Sequence, residues 1–153
     1  MKNSTDDNRD ICLDFRSSVQ DFLDLTIENN YSKEDIMYFL NEAYSSRIFR
    51  KTSRKYVYLV HKKPLSSVIV KIWFERGIFR IFKNFVKGGS RAVREAKNMM
   101  LLKKYGLGTP PIVSYGNYTE KNVKGHISFI ITEQLVGVQT YAAIVEKLYS
   151  GEC

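Results

Sequence analysis

The stretch that decides the fold is Val68-Ile69-Val70-Lys71-Ile72-Trp73. It is dominated by β-branched and aromatic residues, which is typical of a buried strand. Side chains alternate between the two faces of a strand, so Lys71 shares its face with Ile69 and Trp73. Lys71 is therefore a cation between large apolar groups, positioned to meet a carboxylate from a neighbouring element.

The next patterned helix supplies such a carboxylate. Glu95 falls on the same stripe as Ala92 and Met99 at 3.6 residues per turn, where a core residue is expected. A carboxylate is costly to bury without a cation, so we predict a Lys71–Glu95 ion pair. Taken alone, either residue is more often a solvated surface charge, and the prediction rests on their order and spacing. We also expect loss of Glu95 to destabilise the fold more than loss of Glu75.

The period of the apolar residues divides the chain into helices and strands. Residues 11–30 have apolar side chains near helical spacing, which predicts a first helix. Ser32 with Asp35 predicts the capped start of a second helix. From residue 47 the period changes to two. Strands are predicted at Arg47–Lys51, Lys55–His61, Ser67–Trp73, Ile112–Tyr118 and His126–Thr132, and further helices at Arg76–Lys87, Ser90–Lys104 and Thr140–Leu148.

This order of elements predicts an α+β fold. Its centre is a five-stranded antiparallel sheet crossed by one helix, and an acidic helical extension over residues 1–45 precedes it. Residues 46–138 form the sheet domain, and residues 139–153 begin a further helix.

Four segments carry a family resemblance. They are Val68-Ile69-Val70-Lys71, Gly89-Ser90-Arg91-Ala92 with Arg94-Glu95, Tyr105-Gly106-Leu107-Gly108-Thr109-Pro110, and Ser128-Phe129-Ile130-Ile131-Thr132-Glu133. Together they resemble the lipopolysaccharide core kinases, which phosphorylate heptose or 3-deoxy-manno-octulosonic acid. The resemblance covers about residues 47–148. It implies a protein-kinase-like small lobe over residues 46–138 and a truncated start of the larger lobe at 139–153.

The resemblance also implies the roles of several residues in binding ATP. Lys71 would hold the α- and β-phosphates, and Glu95 would fix Lys71. Glu133 and Leu135 would belong to the hinge that meets adenine. The chain has no glycine-rich phosphate loop, and Ser53 and Arg54 would cover the phosphates in its place.

No aspartate follows Asp35 in the sequence. Phosphoryl transfer of this type uses carboxylates to orient the acceptor hydroxyl and to hold Mg²⁺. The resemblance therefore implies ATP and Mg²⁺ as cofactors, with the magnesium ligands absent from this chain. We assign no catalytic residue and no metal ligand, and expect the isolated chain to be inactive.

The charge distribution is strongly asymmetric. Residues 1–45 have a net charge of −6, and residues 46–153 have a net charge of +14. Such a basic block is either a solvated face or the binding surface of an anionic partner. Within it, Arg76–Lys87 is predicted to be a cationic amphipathic helix. Its basic residues, Arg76, Arg80, Lys83 and Lys87, could bind the anionic inner-membrane surface, or its aromatic face could pack on the lobe.

Other assignments stay open at this stage. The chain could be the small lobe of another atypical kinase, or a basic membrane- or RNA-binding module without nucleotide chemistry. Nucleic acid is the less favoured partner, because the aromatic residues fall at core-facing spacings. With a second lobe, the acceptor would be a lipid-linked sugar. The polar start and the lack of a long apolar run predict a cytoplasmic protein, which the Arg76–Lys87 helix could hold peripherally on the inner membrane.

Overall fold

The structure, a computed structural model, describes residues 19–28, 30–52, 54–61, 67–75, 82–84, 86–120 and 126–135. The strands are β1 (Val19–Ile27), β2 (Ile48–Lys51), β3 (Lys55–Val60), β4 (Val68–Glu75), β5 (Ile112–Glu120) and β6 (His126–Glu133), and the helices are α1 (Lys33–Ser45) and α2 (Arg91–Lys104). The strands form one antiparallel sheet in the order β1-β5-β6-β4-β3-β2.

Strand β4 lies inside the sheet, between β3 and β6, and separates two apolar layers. Val68, Val70 and Ile72 are fully buried in the larger core together with α1. Trp73 faces the other way and packs with α2. The alternation expected from the sequence of β4 therefore places Lys71 on the α2 side of the sheet.

Helix α1 covers the first face of the sheet, and both its start and its apolar stripe follow from the sequence. The Ser32 hydroxyl accepts a hydrogen bond from the Asp35 backbone N–H at 3.1 Å, and Asp35 accepts one from the Ser32 N–H at 2.8 Å. This reciprocal capping box confirms the predicted helix start. One turn-spaced stripe is fully buried; it consists of Ile36, Phe39, Leu40 and Ala43.

Helix α2 crosses the opposite face. The Ser90 hydroxyl caps it by accepting from the Val93 N–H, and Ala92 is fully buried against Trp73. The helix is followed by Gly106, whose φ of 75° lies in the left-handed region that suits glycine. The predicted helix boundaries are thus confirmed to within a residue at each end.

The predicted helix over residues 11–30 is wrong where the structure describes it. Residues 19–27 form β1, which pairs antiparallel with β5 and makes the sheet six-stranded rather than five-stranded. Leu25 and Ile27 pack against the larger core, whereas Thr26 and Glu28 are exposed, which is the period of a strand. The edge of β5 offers backbone hydrogen bonds to this segment, and that pairing outweighs its weak helical pattern.

The five predicted strands are present, with ends that coincide with the prediction or differ from it by one or two residues. Residues 82–84 and 86 have helical backbone, in agreement with the expected Arg76–Lys87 helix. The rest of that helix, except Lys87, and all of Thr140–Leu148 lie outside the described residues. Among the helices that the structure describes, none is long and apolar enough to cross a membrane.

Candidate functional site

The predicted ion pair between β4 and α2 is present. The Lys71 Nζ lies 2.6 Å from the Glu95 Oε1 and donates a hydrogen bond to it. The two residues are 24 positions apart in the chain, so the pair fixes how α2 crosses the sheet. A carboxylate that holds a lysine in one orientation prepares that lysine to meet a further anion.

The pair is partly open to solvent. The Lys71 side chain is 27% exposed and the Glu95 side chain 30% exposed, so neither occupies a full core position. Water at such a pair screens the attraction and lowers its contribution to stability. Solvent access also leaves room for a ligand to reach the lysine.

A second lysine lies on the same face and was not identified from the sequence. Lys55 begins β3, pairs with Trp73 of β4, and has its Nζ 5.7 Å from the centre of the indole ring. Burial and then repulsion from Lys71 lower the pKa of Lys55 below 10.5; Arg50 adds to this and Glu95 opposes it. The hairpin register between β3 and β4 was the signal that could have revealed it.

The other predicted site residues lie at two places in the sheet. Arg54 is exposed in the turn between β2 and β3, and its carbonyl accepts from the Phe74 N–H at 3.2 Å. Ser53 lies outside the described residues. Glu133 ends β6, where its Oε1 accepts from the Tyr31 hydroxyl at 3.0 Å, and Leu135 is exposed two residues later.

The backbone after β6 is held at two points. The Glu133 N–H donates to the Pro111 carbonyl at 2.9 Å, and the Gln134 N–H donates to the Ser67 carbonyl at 2.9 Å. The next backbone N–H is that of Leu135, and neither of these two hydrogen bonds involves it. Strand β4 starts beside this segment, because Val68 pairs with Glu133. Lys71 lies three residues further along β4.

Glu75 is a more deeply buried carboxylate than Glu95, contrary to expectation. It is 4% exposed, and its oxygens accept hydrogen bonds from the Asn84 Nδ2 and, at 3.2 Å, from the Arg91 N–H. Glu75 therefore joins the end of β4 to the start of α2. The sequence alone did not reveal this, because the partners come from two other segments.

The predicted membrane-binding residues are only partly within the described structure. Arg76 and Arg80 lie outside it, whereas Lys83 and Lys87 are exposed. Phe82 is 67% exposed and Val86 is 68% exposed, so these two side chains are not packed into the sheet. Among the described residues, no three His, Cys, Asp or Glu side chains come together as metal ligands.

Comparisons with known proteins bear on the family and the fold of the chain. The sequence model of the "Lipopolysaccharide kinase (Kdo/WaaP) family" matches residues 41–151. The chain is also similar to the solved structure "WaaP in complex with acyl carrier protein", with a TM-score of 0.51 and 18% sequence identity. That match covers 85% of this chain and 46% of the WaaP chain, so this chain spans about half of its structural relative. No curated protein sequence gives a significant match.

Proposed function

Because the chain belongs to the lipopolysaccharide kinase (Kdo/WaaP) family, we propose that it is the ATP-binding part of an ATP-dependent sugar kinase. The observation that carries the proposal is the Lys71–Glu95 pair, with Lys55 on the same face of the sheet. Lysines from two adjacent strands, one of them held by a helix carboxylate, are suited to a polyphosphate.

In this proposal the two lysines divide the work of binding phosphate. Lys71 meets the α- and β-phosphates, and Glu95 keeps its ammonium on the open side of the sheet. Lys55 adds a second charge, and its pKa is lowered by burial and then by repulsion from Lys71; a nearby phosphate would raise that pKa again. Arg54 and Ser53, in the turn before β3, cover the phosphates where other kinases use glycines. Mg²⁺ accompanies the nucleotide and is held by phosphate oxygens.

The segment after β6 is the proposed adenine hinge. The amides of Glu133 and Gln134 are engaged within the protein, which supports Leu135 as the backbone donor to the base. The acceptor is proposed to be a lipid-linked sugar. Transfer to it uses aspartates to orient the acceptor hydroxyl and to hold Mg²⁺, and this 153-residue chain has no aspartate after Asp35, so the chain is expected to bind ATP without turning it over.

Calorimetric titration with ATP and Mg²⁺, at pH 9 in two buffers of different ionisation enthalpy, tests the proposal. Binding should be accompanied by net proton uptake. In the free protein the lowered pKa leaves Lys55 more deprotonated at pH 9 than an ordinary lysine, and nearby phosphate raises that pKa again. For the same reason the affinity should fall as the pH rises from 7 to 10. Lys55→Met should remove most of the uptake. Absence of ATP binding would contradict the function, and binding without uptake would remove Lys55 from the site.

The exposed apolar side chains near Lys83 favour a peripheral position on the inner membrane, which we propose as the location of the protein. Phe82 and Val86 would enter the interface while Lys83 and Lys87 meet anionic headgroups.

Co-sedimentation with anionic vesicles tests this location. Phe82→Ser with Val86→Ser should lower binding several-fold, whereas Phe49→Ser, an equally exposed position on β2, should leave it unchanged. Equal binding of all three proteins would show that the apolar pair is not an anchor.

A further inference from the structure

A pocket of about 350 Å³ lies where the end of β4 meets the start of α2. Its charged lining comes from four separate segments of the chain: Arg54, Glu75, Lys83, Lys87, Arg91 and Arg94. Arg54 is shared with the proposed nucleotide site, but Lys71, Glu95 and Lys55 are not part of the lining, so the pocket adjoins that site without containing its lysines.

The charge of this pocket is far from balanced. Five basic side chains line it, against the single carboxylate of Glu75. The oxygens of that carboxylate already accept hydrogen bonds from Asn84 and from the Arg91 N–H. Like charges held this close repel one another, so an anion that entered would be attracted by the whole group.

One of these cations also has an unused donor. The Nε of Arg94 is buried and has no hydrogen-bond partner in the described part of the chain. A buried donor without a partner destabilises a fold, because it has lost its bond to water. Arg94 lines the pocket, and a rotation of its side chain would let a ligand oxygen satisfy this donor.

We propose that this pocket binds a phosphate ester other than the bound nucleotide. Guanidinium groups bind phosphate through paired N–H donors. Arg91 and Arg94, three residues apart on α2, would supply these donors. A volume of about 350 Å³ accommodates a phosphate with a group the size of one sugar ring.

Occupancy would act on the neighbouring site through α2. The ligand would join the β2–β3 turn and residues 83–87 to the helix, one turn before Glu95. That would hold α2 against β4 and keep Glu95 in contact with Lys71, so a phosphate ester should tighten ATP binding.

Thermal unfolding of the 153-residue chain in increasing inorganic phosphate, compared with sodium chloride of equal ionic strength, tests the pocket. The unfolding midpoint should rise to a plateau with phosphate concentration. Arg91→Gln, at an exposed position, and Arg94→Gln should each weaken the apparent phosphate affinity about tenfold, because each removes one charge-assisted contact. Lys103→Gln, on the exposed last turn of α2, is the matched control and should respond as the unchanged chain does.

Two further arms separate the possible ligands. Lys71→Met weakens the nucleotide site and should keep the part of the phosphate response that Arg91→Gln weakens, and loss of the whole response in Lys71→Met would show that phosphate enters only the nucleotide site. Mannose 6-phosphate should raise the midpoint at least as much as inorganic phosphate, and mannose should not. An equal response of Arg91→Gln and the unchanged chain, or a response to inorganic phosphate alone, would overturn the proposal. Each outcome is independent of whether ATP binds.

Discussion

Lys71→Met is expected to weaken ATP binding by about 10- to 100-fold. The ammonium makes a charge-assisted contact, and such contacts contribute about 1.5–3 kcal/mol when the partner is an anion. Methionine keeps the length and the apolar stem of the side chain, so packing beside Trp73 is preserved. Because the Lys71–Glu95 pair is partly exposed, its loss should lower the free energy of unfolding only slightly.

The matched control is Lys104→Met, which removes the same charge from the exposed last turn of α2. Titration calorimetry should give this variant the ATP affinity of the unchanged chain. Equal weakening by both substitutions would mean that ATP senses only the general positive field of residues 46–153. The ATP affinity of Glu95→Gln should lie between those of Lys71→Met and Lys104→Met, because this substitution leaves Lys71 charged but no longer held in place.

Glu75→Gln is expected to lower the free energy of unfolding by about 2 kcal/mol, more than Glu95→Gln. Glu75 is 4% exposed, whereas the Glu95 side chain is 30% exposed. Removing its charge leaves the five basic side chains of the pocket lining without an opposing carboxylate. The glutamine amide also presents an N–H, in place of an acceptor oxygen, to one of the two donors, Asn84 Nδ2 or the Arg91 N–H. Urea unfolding monitored through Trp73, which is itself buried, measures the difference.

The comparison with Glu95→Gln provides the control, because both substitutions remove one negative charge at constant shape. Glu95→Gln should cost about 0.5–1 kcal/mol, in the range of partly exposed pairs. A larger loss for Glu95→Gln than for Glu75→Gln would mean that Glu75 is not the connection between β4 and α2, and the original expectation from the sequence would stand.

The features that were predictable from the sequence depend on local chemistry. Ser32 with Asp35 and Ser90 fix helix starts by capping, and the alternation of β4 fixes which face Lys71 shares. The Lys71–Glu95 pair could be predicted although it is long-range, because each residue interrupted an apolar face and needed an opposite charge.

The features that were missed depend on which distant segments meet. β1 is a strand because it pairs with the edge of β5. β5 lies far from Leu25 in the sequence, so the local pattern around Leu25 does not reveal this pairing. Lys55 enters the site through the β3–β4 register. Glu75 was expected to matter less than Glu95, because its partners, Asn84 and the Arg91 N–H, lie 9 and 16 residues further along the chain.

In the proposed complex, ATP lies on the α2 side of β4, against Lys71 and the segment after β6. Amide chemical-shift mapping of the ¹⁵N-labelled chain, titrated with a non-hydrolysable ATP analogue and Mg²⁺, tests it most directly. We expect the largest changes at residues 54–57, 69–73 and 133–135. Residues 25–27 of β1 should be unaffected, and Lys71→Met should suppress the changes. Shifts confined to residues 83–94, or a Lys71→Met spectrum that responds as the unchanged chain does, would contradict it.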